Sequence, residues 1–197
     1  PQHHHIEELM TDLEYFLHDK SHPIPDLIRI AVAHYQFETI HPFLDGNGRI
    51  GRLLITLLLV NDGILNKPLL YLSTYFEKNK RIYYDMLTGV RERHDIEGWV
   101  LFFLKGVEET ASLGVHTFSE ILELKARIES EIRSSFKART DTGLNLLHML
   151  LENPLISTNE VKDKLAVTFR TASLLIDTFC EKGWLREITG QSRNKIY

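Results

Sequence analysis

The 197-residue sequence contains one cysteine, Cys180, and few long apolar runs. A single cysteine excludes an intrachain disulfide framework, and the cytoplasm is the default compartment for such a chain. The longest apolar run, residues 53–60, is interrupted by Thr56 and is far too short to cross a membrane. The chain shows no signal peptide and no GxxxxGK(S/T) loop. These absences argue against a secreted disulfide scaffold, a membrane protein and a Walker-type nucleotide-binding protein.

Alternating strand patterns are also scarce in the first 136 residues. Apolar residues recur there at spacings of three and four, which is typical of amphipathic helices. The predicted helices cover about 6–18, 25–40, 48–61, 78–91, 96–110 and 115–136. This part of the chain is therefore predicted to be an all-α bundle with short connections.

The pattern changes from Thr140 onward. One helix is predicted around 144–150, a capping box at 157–160 precedes a short helix, and Thr168 begins a third helix. The tail from Glu187 predicts two short strands around a turn at residues 190–191. Three helices and a β-hairpin are typical of a winged helix-turn-helix domain. The fold is thus predicted to be mainly α, with domains at 1–136 and 137–197.

The charge distribution agrees with this division. Residues 1–136 carry 14 basic and 20 acidic residues, whereas residues 137–197 carry 9 basic and 7 acidic residues. In a winged helix, the candidates for contact with duplex DNA are Arg170, Thr171, Arg193 and Lys195. The small positive charge does not prove DNA binding, and dimerisation or packing on the bundle remains the alternative use.

The segment HPFLDGNGRIGR, residues 41–52, holds most of the candidate chemistry. Gly46 and Gly48 allow a ligand to approach the backbone closely, and the free N–H groups of the following helix favour an anion. Asn47 adds a side-chain donor. Arg49 and Arg52 lie three residues apart, so both project from one face and suit a polyphosphate.

Two further side chains complete this site. Asp45 would repel a phosphate unless a divalent cation lies between them, so it is predicted to bind Mg²⁺. His41 is suited to take a proton from an attacking hydroxyl. Together these residues predict phosphoryl or nucleotidyl transfer that relies on positioning and electrostatics.

Residues 41–52 match every specified position of H-P-F-x-(D/E)-G-N-G-R-x-x-R, and the chain resembles the Fic family in this motif. Flanking segments over about residues 1–115 are also similar: LEYFL at 13–17, HYQFETI at 34–40, YYDML at 83–87 and WVLFFL at 99–104. A Fic-like bundle followed by a winged helix is similar to a common bacterial arrangement of this family.

The resemblance implies a protein adenylyltransferase, which moves AMP from ATP to a Ser, Thr or Tyr hydroxyl of a target protein and releases pyrophosphate. It implies that His41 is the base, that Asp45 holds Mg²⁺, and that ATP is the substrate. It also implies a nucleotide-binding set: Gly46, Asn47, Gly48, Arg49, Ile50, Gly51, Arg52, Tyr83 and Tyr84. The two tyrosines would wall the adenosine pocket, although a core aromatic pair explains their spacing equally well.

Two elements expected from the resemblance are not found in residues 1–40. They are a β-hairpin flap that docks the target and an inhibitory helix with the pattern (S/T)-x-x-x-E-(G/N). We therefore expect this chain to bind nucleotide poorly or to modify targets inefficiently.

Other functions remain open from the sequence. The main alternative is a transcriptional regulator in which the bundle senses nucleotide and residues 137–197 bind duplex DNA. A homodimer is also open. A metallohydrolase using His34 and His41 is weaker, since no third ligand has a suitable spacing.

Overall fold

The computed structural model describes residues 3–19, 21, 23–191 and 195–197, and these residues are mainly helical. They divide into two compact units, residues 1–118 and 119–197. No helix among them is both long and apolar enough to span a bilayer. The helices are η1 (His3–His5), α1 (Ile6–His18), α2 (Asp26–Ile40), α3 (Asn47–Asn61), α4 (Leu72–Lys78), α5 (Lys80–Arg93), α6 (Ile96–Ser135), η2 (Lys137–Arg139), α7 (Thr140–Glu152), α8 (Thr158–Lys164) and α9 (Phe169–Glu181).

The core of the first unit forms around α2 and α3. Apolar residues of α2, α3, α5 and α6 pack together with the short helix α4, and Trp99 of α6 is fully buried among them. The indole N–H of Trp99 donates to the carbonyl of Ala31 on α2 at 2.9 Å. A second cluster packs α1 against the other side of α2, through Leu13 and Phe37. Helix α2 is therefore held on both sides, which fixes the loop that follows it.

The core of the second unit is built from the end of α6 and from α7, α8 and α9. Its buried residues are apolar and include Ile132, Leu146, Ile176 and Phe179. Ser157 and Glu160 form the predicted capping box at the start of α8, and Thr168 caps α9 through the N–H of Thr171. The three predicted helices of this unit are present. Residues 119–135 also belong to it, upstream of the predicted domain start at 137.

The predicted β-hairpin is not formed by the residues that the structure describes. The tail contributes one isolated bridge, between Ser157 and Ile196. Tyr197 exchanges two backbone hydrogen bonds with Ile156, and the N–H of Ile188 donates to the carbonyl of Ile196 at 2.9 Å. The tail therefore pairs through its backbone with the segment before α8. Among the described residues, its own two halves are joined by the bond between Ile188 and Ile196 and by the Ile196 N–H, which donates to Thr189 Oγ1 at 3.4 Å. Residues 192–194, within the predicted wing, lie outside the described residues.

Two further predictions about the helices were wrong. A break was expected near residues 110–115, but α6 continues through Gly114. A glycine within a helix costs only about 1 kcal/mol relative to alanine, so a single glycine at position 114 is not enough to end α6. Helix α4 was not predicted because its seven residues are too few to display a helical period.

Candidate active site

The candidate site begins where α2 ends, at His41. This residue adopts left-handed backbone angles, φ 54° and ψ 58°, and its N–H donates to the carbonyl of Phe37. Its exposed ring places Nδ1 at 3.4 Å from the carbonyl oxygen of Glu38. Because a carbonyl can only accept, Nδ1 carries the proton in the neutral ring. Nε2 therefore keeps its lone pair, which is the form that a general base requires.

The Asn47 side chain hydrogen-bonds to the backbone of its own loop. Its Oδ1 accepts from the N–H of Phe43 at 2.9 Å, and its Nδ2 donates to the carbonyl of Phe43 at 2.6 Å. The residue is only 2% exposed, so both hydrogen bonds are shielded from water. The Asn47 side chain thus shapes the loop, and a direct contact with a nucleotide stays a prediction.

The loop leads into an α3 N-terminus that suits an anion. Gly46 is the N-cap with φ 83°, a conformation that glycine adopts without strain. Its carbonyl accepts from the N–H groups of Arg49 and Ile50, each at 3.0 Å. Within the described part of the chain, the N–H groups of Asn47 and Gly48 make no hydrogen bond. Two free amides at the positive end of a 15-residue helix can bind a phosphate.

The charged side chains surround these amides. Arg49 reaches Asp45 at 3.4 Å, and both side chains are mostly exposed, at 76% and 94%. Arg52 is half-buried, and its Nη1 lies 3.3 Å from the position that a Cβ on Gly48 would take. The structure thus brings His41, Asp45 and both arginines to one exposed loop and the first turns of α3.

The structure shows a role for His34 other than the metal binding considered in the sequence analysis. It is 1% exposed, and its Nδ1–H donates to the carbonyl of Gly51 at 3.0 Å. The Tyr83 hydroxyl donates to His34 Nε2 at 3.0 Å. The pKa of His34 is lowered to about 4, mainly by burial and in part by the nearby charge of Arg52, while the hydrogen bond to the Gly51 carbonyl acts in the opposite direction. His34 is therefore neutral and joins α2 to α3 and α5.

The remaining predicted nucleotide contacts lie in different surroundings. Gly51 is buried and faces α2, whereas Ile50 is 39% exposed. Tyr83 is 4% exposed and Tyr84 is 54% exposed, with their rings 5.2 Å apart at a steep angle. Burial raises the pKa of the Tyr83 phenol, so its hydroxyl stays protonated and keeps its bond to His34. Of the two tyrosines, only Tyr84 offers its ring to a ligand in this conformation.

The predicted DNA contacts lie in the second unit. Arg170 and Lys195 are exposed. Thr171 is half-buried, and its N–H donates to Thr168 Oγ1 at 3.2 Å. Arg193 lies outside the described residues. Among the described residues of this unit, neither hydrogen bonds nor burial distinguish the predicted DNA contacts from ordinary exposed side chains.

A metal site made wholly of protein ligands is not found. The described residues contain no group of three or more His, Cys, Asp or Glu side chains that could hold an ion. Both ring nitrogens of His34 are engaged, so the metallohydrolase interpretation loses one of its two histidines. The single exposed carboxylate of Asp45 fits Mg²⁺, which typically takes one or two carboxylates together with substrate phosphates.

Comparison with known proteins agrees with the motif. Residues 1–59 match the Fic/DOC family. The chain is 32% identical over 114 residues to a protein named protein adenylyltransferase Fic from Drosophila grimshawi, covering 57% of this chain and 22% of that protein. It is 36% identical over 118 residues to a protein of the same name from Aedes aegypti, covering 57% of this chain and 21% of that protein. The chain thus spans about a fifth of the length of these relatives.

A solved structure extends the similarity beyond the motif. A Fic family protein from Desulfovibrio desulfuricans G20 aligns with 100% of this chain and 55% of its own, at a TM-score of 0.54 and 25% identity. The alignment therefore includes α7, α8 and α9 as well as the first unit. These findings support the Fic resemblance, but they do not show a winged helix or DNA binding.

Proposed function

We propose that the chain carries the catalytic site of a Fic-type protein adenylyltransferase. The reaction would transfer AMP from ATP to a Ser, Thr or Tyr hydroxyl of a target protein, with pyrophosphate as the other product. The observation that carries this proposal is that one short loop connects His41, whose Nδ1 faces the Glu38 carbonyl, to two amides at the start of α3 that make no hydrogen bond within the described residues. One group can accept a proton, while the other two can hold the phosphate beside it.

Each residue has a distinct part in this reaction. His41 Nε2 takes the proton as the hydroxyl oxygen bonds to the α-phosphorus, and the bond from that phosphorus to the bridging oxygen of pyrophosphate breaks. The amides of Asn47 and Gly48 hold phosphate oxygens. Arg49 and Arg52 offset the charge that spreads over the leaving phosphates. Asp45 would hold Mg²⁺, which supplies further charge neutralisation on the nucleotide when bound.

The test uses ATP labelled at the α-phosphate, Mg²⁺ and a cell lysate as the source of targets. The full chain is compared with His41→Ala and with His94→Ala. His94 is a matched control because it is also exposed and also ends a helix, α5, in the left-handed conformation with φ 58°. We expect the wild type and His94→Ala to label protein at the low rate predicted for this chain, and His41→Ala to lose at least about 100-fold of that rate.

Two results would contradict the proposal. One is protein labelling by His41→Ala at the wild-type rate. The other is an absence of labelling by the wild type although it binds ATP. The second result would favour a nucleotide-sensing regulator, in which the phosphate site is retained and the base is not needed.

The regulator remains the alternative function, with duplex DNA bound by residues 137–197. The exposed face of α9 is relevant to DNA binding by this unit. Arg170 lies there beside Phe169 and Leu174, which are 56% and 42% exposed. Exposed apolar side chains suit a protein contact better than a phosphate backbone. Duplex binding that weakens steeply with salt, and weakens further in Arg170→Ala, would support the regulator.

A further inference from the structure

Glu38 has an unusual environment one turn before His41. Its Oε1 is buried and accepts no hydrogen bond within the described residues. That oxygen lies against the first turns of α3, since a Cβ on Gly51 would collide with it and a Cβ on Gly48 would lie 4.0 Å away. Buried polar atoms without partners are rare in folded proteins, so this carboxyl requires an explanation.

The charges that face this carboxyl come from the candidate site. On α2, Glu38 is followed by His41, and on α3 it faces Arg52; the positive charge of either group favours the ionised carboxyl. On α5, the uncharged Tyr83 phenol faces it. Burial has the larger effect and raises the pKa of Glu38. The carboxyl is therefore costly to ionise, and His41 and Arg52 of the candidate site partly compensate for its charge.

Arg52 is the more direct partner for this charge. The position of a Cβ on Gly48 would be 3.3 Å from Arg52 Nη1 and 4.0 Å from Glu38 Oε1, so both groups lie against the same glycine. No ion pair of Arg52 within 4.0 Å is found among the described residues, in contrast to Arg49, which pairs with Asp45. Arg52 is thus available to a phosphate, and Glu38 lies behind it as a counter-charge.

We propose that Glu38 is a positioning residue of the nucleotide site. Its carboxylate keeps Arg52 beside the free amides of α3 and stabilises His41 after that ring has taken the proton of the acceptor hydroxyl. This inference rests on the proposed adenylyl transfer and adds to it a residue outside the segment 41–52. Because its Oε1 is buried, Glu38 acts through Arg52 and His41 and not by direct contact with a substrate.

A purely structural role predicts a different outcome. Glutamine has nearly the shape of glutamate and removes the cost of burying a charge. If Glu38 only filled space, Glu38→Gln would leave stability and turnover unchanged. If Glu38 positions the site, the same variant keeps or gains stability but loses turnover.

The first experiment compares Glu38→Gln with Thr39→Val in the full chain. Thr39 is a matched control because its Oγ1 is also buried without a partner, on the next residue of the same helix. We expect turnover of Glu38→Gln in the α-phosphate labelling assay to fall roughly 10- to 100-fold. Its ATP dissociation constant, measured by calorimetry, should change by less than about threefold, because Arg52 is assigned to the charge that develops on the leaving phosphates in the transition state. Thr39→Val should leave both values unchanged.

The proposal is overturned if Glu38→Gln keeps turnover within twofold of the wild type. It is also overturned if turnover, ATP affinity and the melting temperature all fall together, since that result indicates a damaged fold. Equal turnover losses in Glu38→Gln and Thr39→Val would likewise show that a buried oxygen on α2, rather than the charge of Glu38, is what matters.

A second measurement does not depend on adenylyl transfer. The titration of the Glu38 carboxyl is followed by carbon NMR in the wild type, His41→Ala, Arg52→Ala and His94→Ala. Because His41 and Arg52 lower the pKa of Glu38, its pKa should rise in either of the first two variants and stay constant in His94→Ala. An unchanged titration in both site variants would overturn the proposal even for an active enzyme. A shifted titration without any protein labelling would instead contradict the proposed function and leave the coupling of Glu38 to the site intact.

Discussion

The two compact units differ in what they bury. The buried polar residues identified in the described chain, His34 and Asn47, both belong to the first unit, and so does the unpartnered oxygen of Glu38. The buried residues of the second unit are apolar, with Phe179 and Ile176 at 0% exposure. Burying a polar group costs free energy unless it is bonded, and the side chains of His34 and Asn47 each make two hydrogen bonds. These bonds connect α2, α3, α5 and the loop, so the first unit buries polar groups where the candidate site lies.

The largest expected effect is a loss of folded-state stability at acidic pH. Since the pKa of His34 is about 4 in the folded chain and 6.5 in a model peptide, the unfolded state binds this proton first as pH falls. The stability contributed by neutral His34 is complete above pH 6.5 and is lost progressively down to about pH 4. The loss over this window is about 3 kcal/mol, at roughly 1.4 kcal/mol per pKa unit.

The chain has two tryptophans, one in each unit, which allows this effect to be located. Urea unfolding of Trp184→Phe reports the first unit through Trp99, and unfolding of Trp99→Phe reports the second through Trp184. When His34→Gln is added, the acid-induced decrease in the free energy of unfolding that Trp99 reports should largely disappear. The decrease that Trp184 reports should be unchanged. If Trp99 reports the same decrease in stability with and without His34→Gln, a group other than His34 causes it. That result would contradict the proposed difference between the two cores.

The sequence was most informative in a short segment that contains most of the groups proposed for adenylyl transfer. The loop 41–52 was predicted from residue types and spacing, and the helices α1, α2, α3 and α5 lie close to their predicted positions. Asn47 and His34 were harder to interpret. The sequence does not distinguish an asparagine that hydrogen-bonds within its own loop from one that binds a ligand. The partners of His34 lie 17 and 49 residues away, so no local pattern could reveal them.

The tail and α6 show the opposite limitation. The tail was predicted as a hairpin from its local turn pattern, and pairing with Ile156 overrode that pattern, whereas α6 was predicted as two separate helices. Ile156 takes both backbone bonds of Tyr197, and α6 continues through Gly114. Local propensity is a weak guide where distant partners supply the free energy.

A smaller effect is expected from the contact between α2 and α3. In Gly51→Ala the new methyl group would meet Glu38 Oε1 and lie 3.1 Å from Phe37 Cδ1, so these two side chains must move. The cost should be about 1–3 kcal/mol in the free energy of unfolding. Gly114→Ala is the matched control, because a Cβ there has no neighbour within 4 Å and Gly114 lies within α6. That variant should gain about 0.5–1 kcal/mol. A similar gain in Gly51→Ala would show that the two helices do not need this close approach.

The smallest effect on stability is expected at the residues of the loop that face solvent. Asp45 and Arg49 form an ion pair at 3.4 Å, but both side chains are so exposed that Asp45→Asn should change the free energy of unfolding by less than about 0.5 kcal/mol. The same substitution removes the carboxylate proposed to hold Mg²⁺, so ATP affinity in the presence of Mg²⁺ should fall about tenfold or more.

Asp85→Asn is the matched control for this prediction. Asp85 lies 3.9 Å from Arg81, four residues before it on α5, and these side chains are also mostly exposed, at 66% and 95%. Both variants remove one carboxylate from an exposed pair at the same spacing, so their effects on unfolding should be equally small. Only Asp45→Asn should weaken ATP binding, and only when Mg²⁺ is present. Equal ATP affinities for the two variants would mean that the loop binds nucleotide without a cation at Asp45. ATP binding would then be assigned to the free amides of α3.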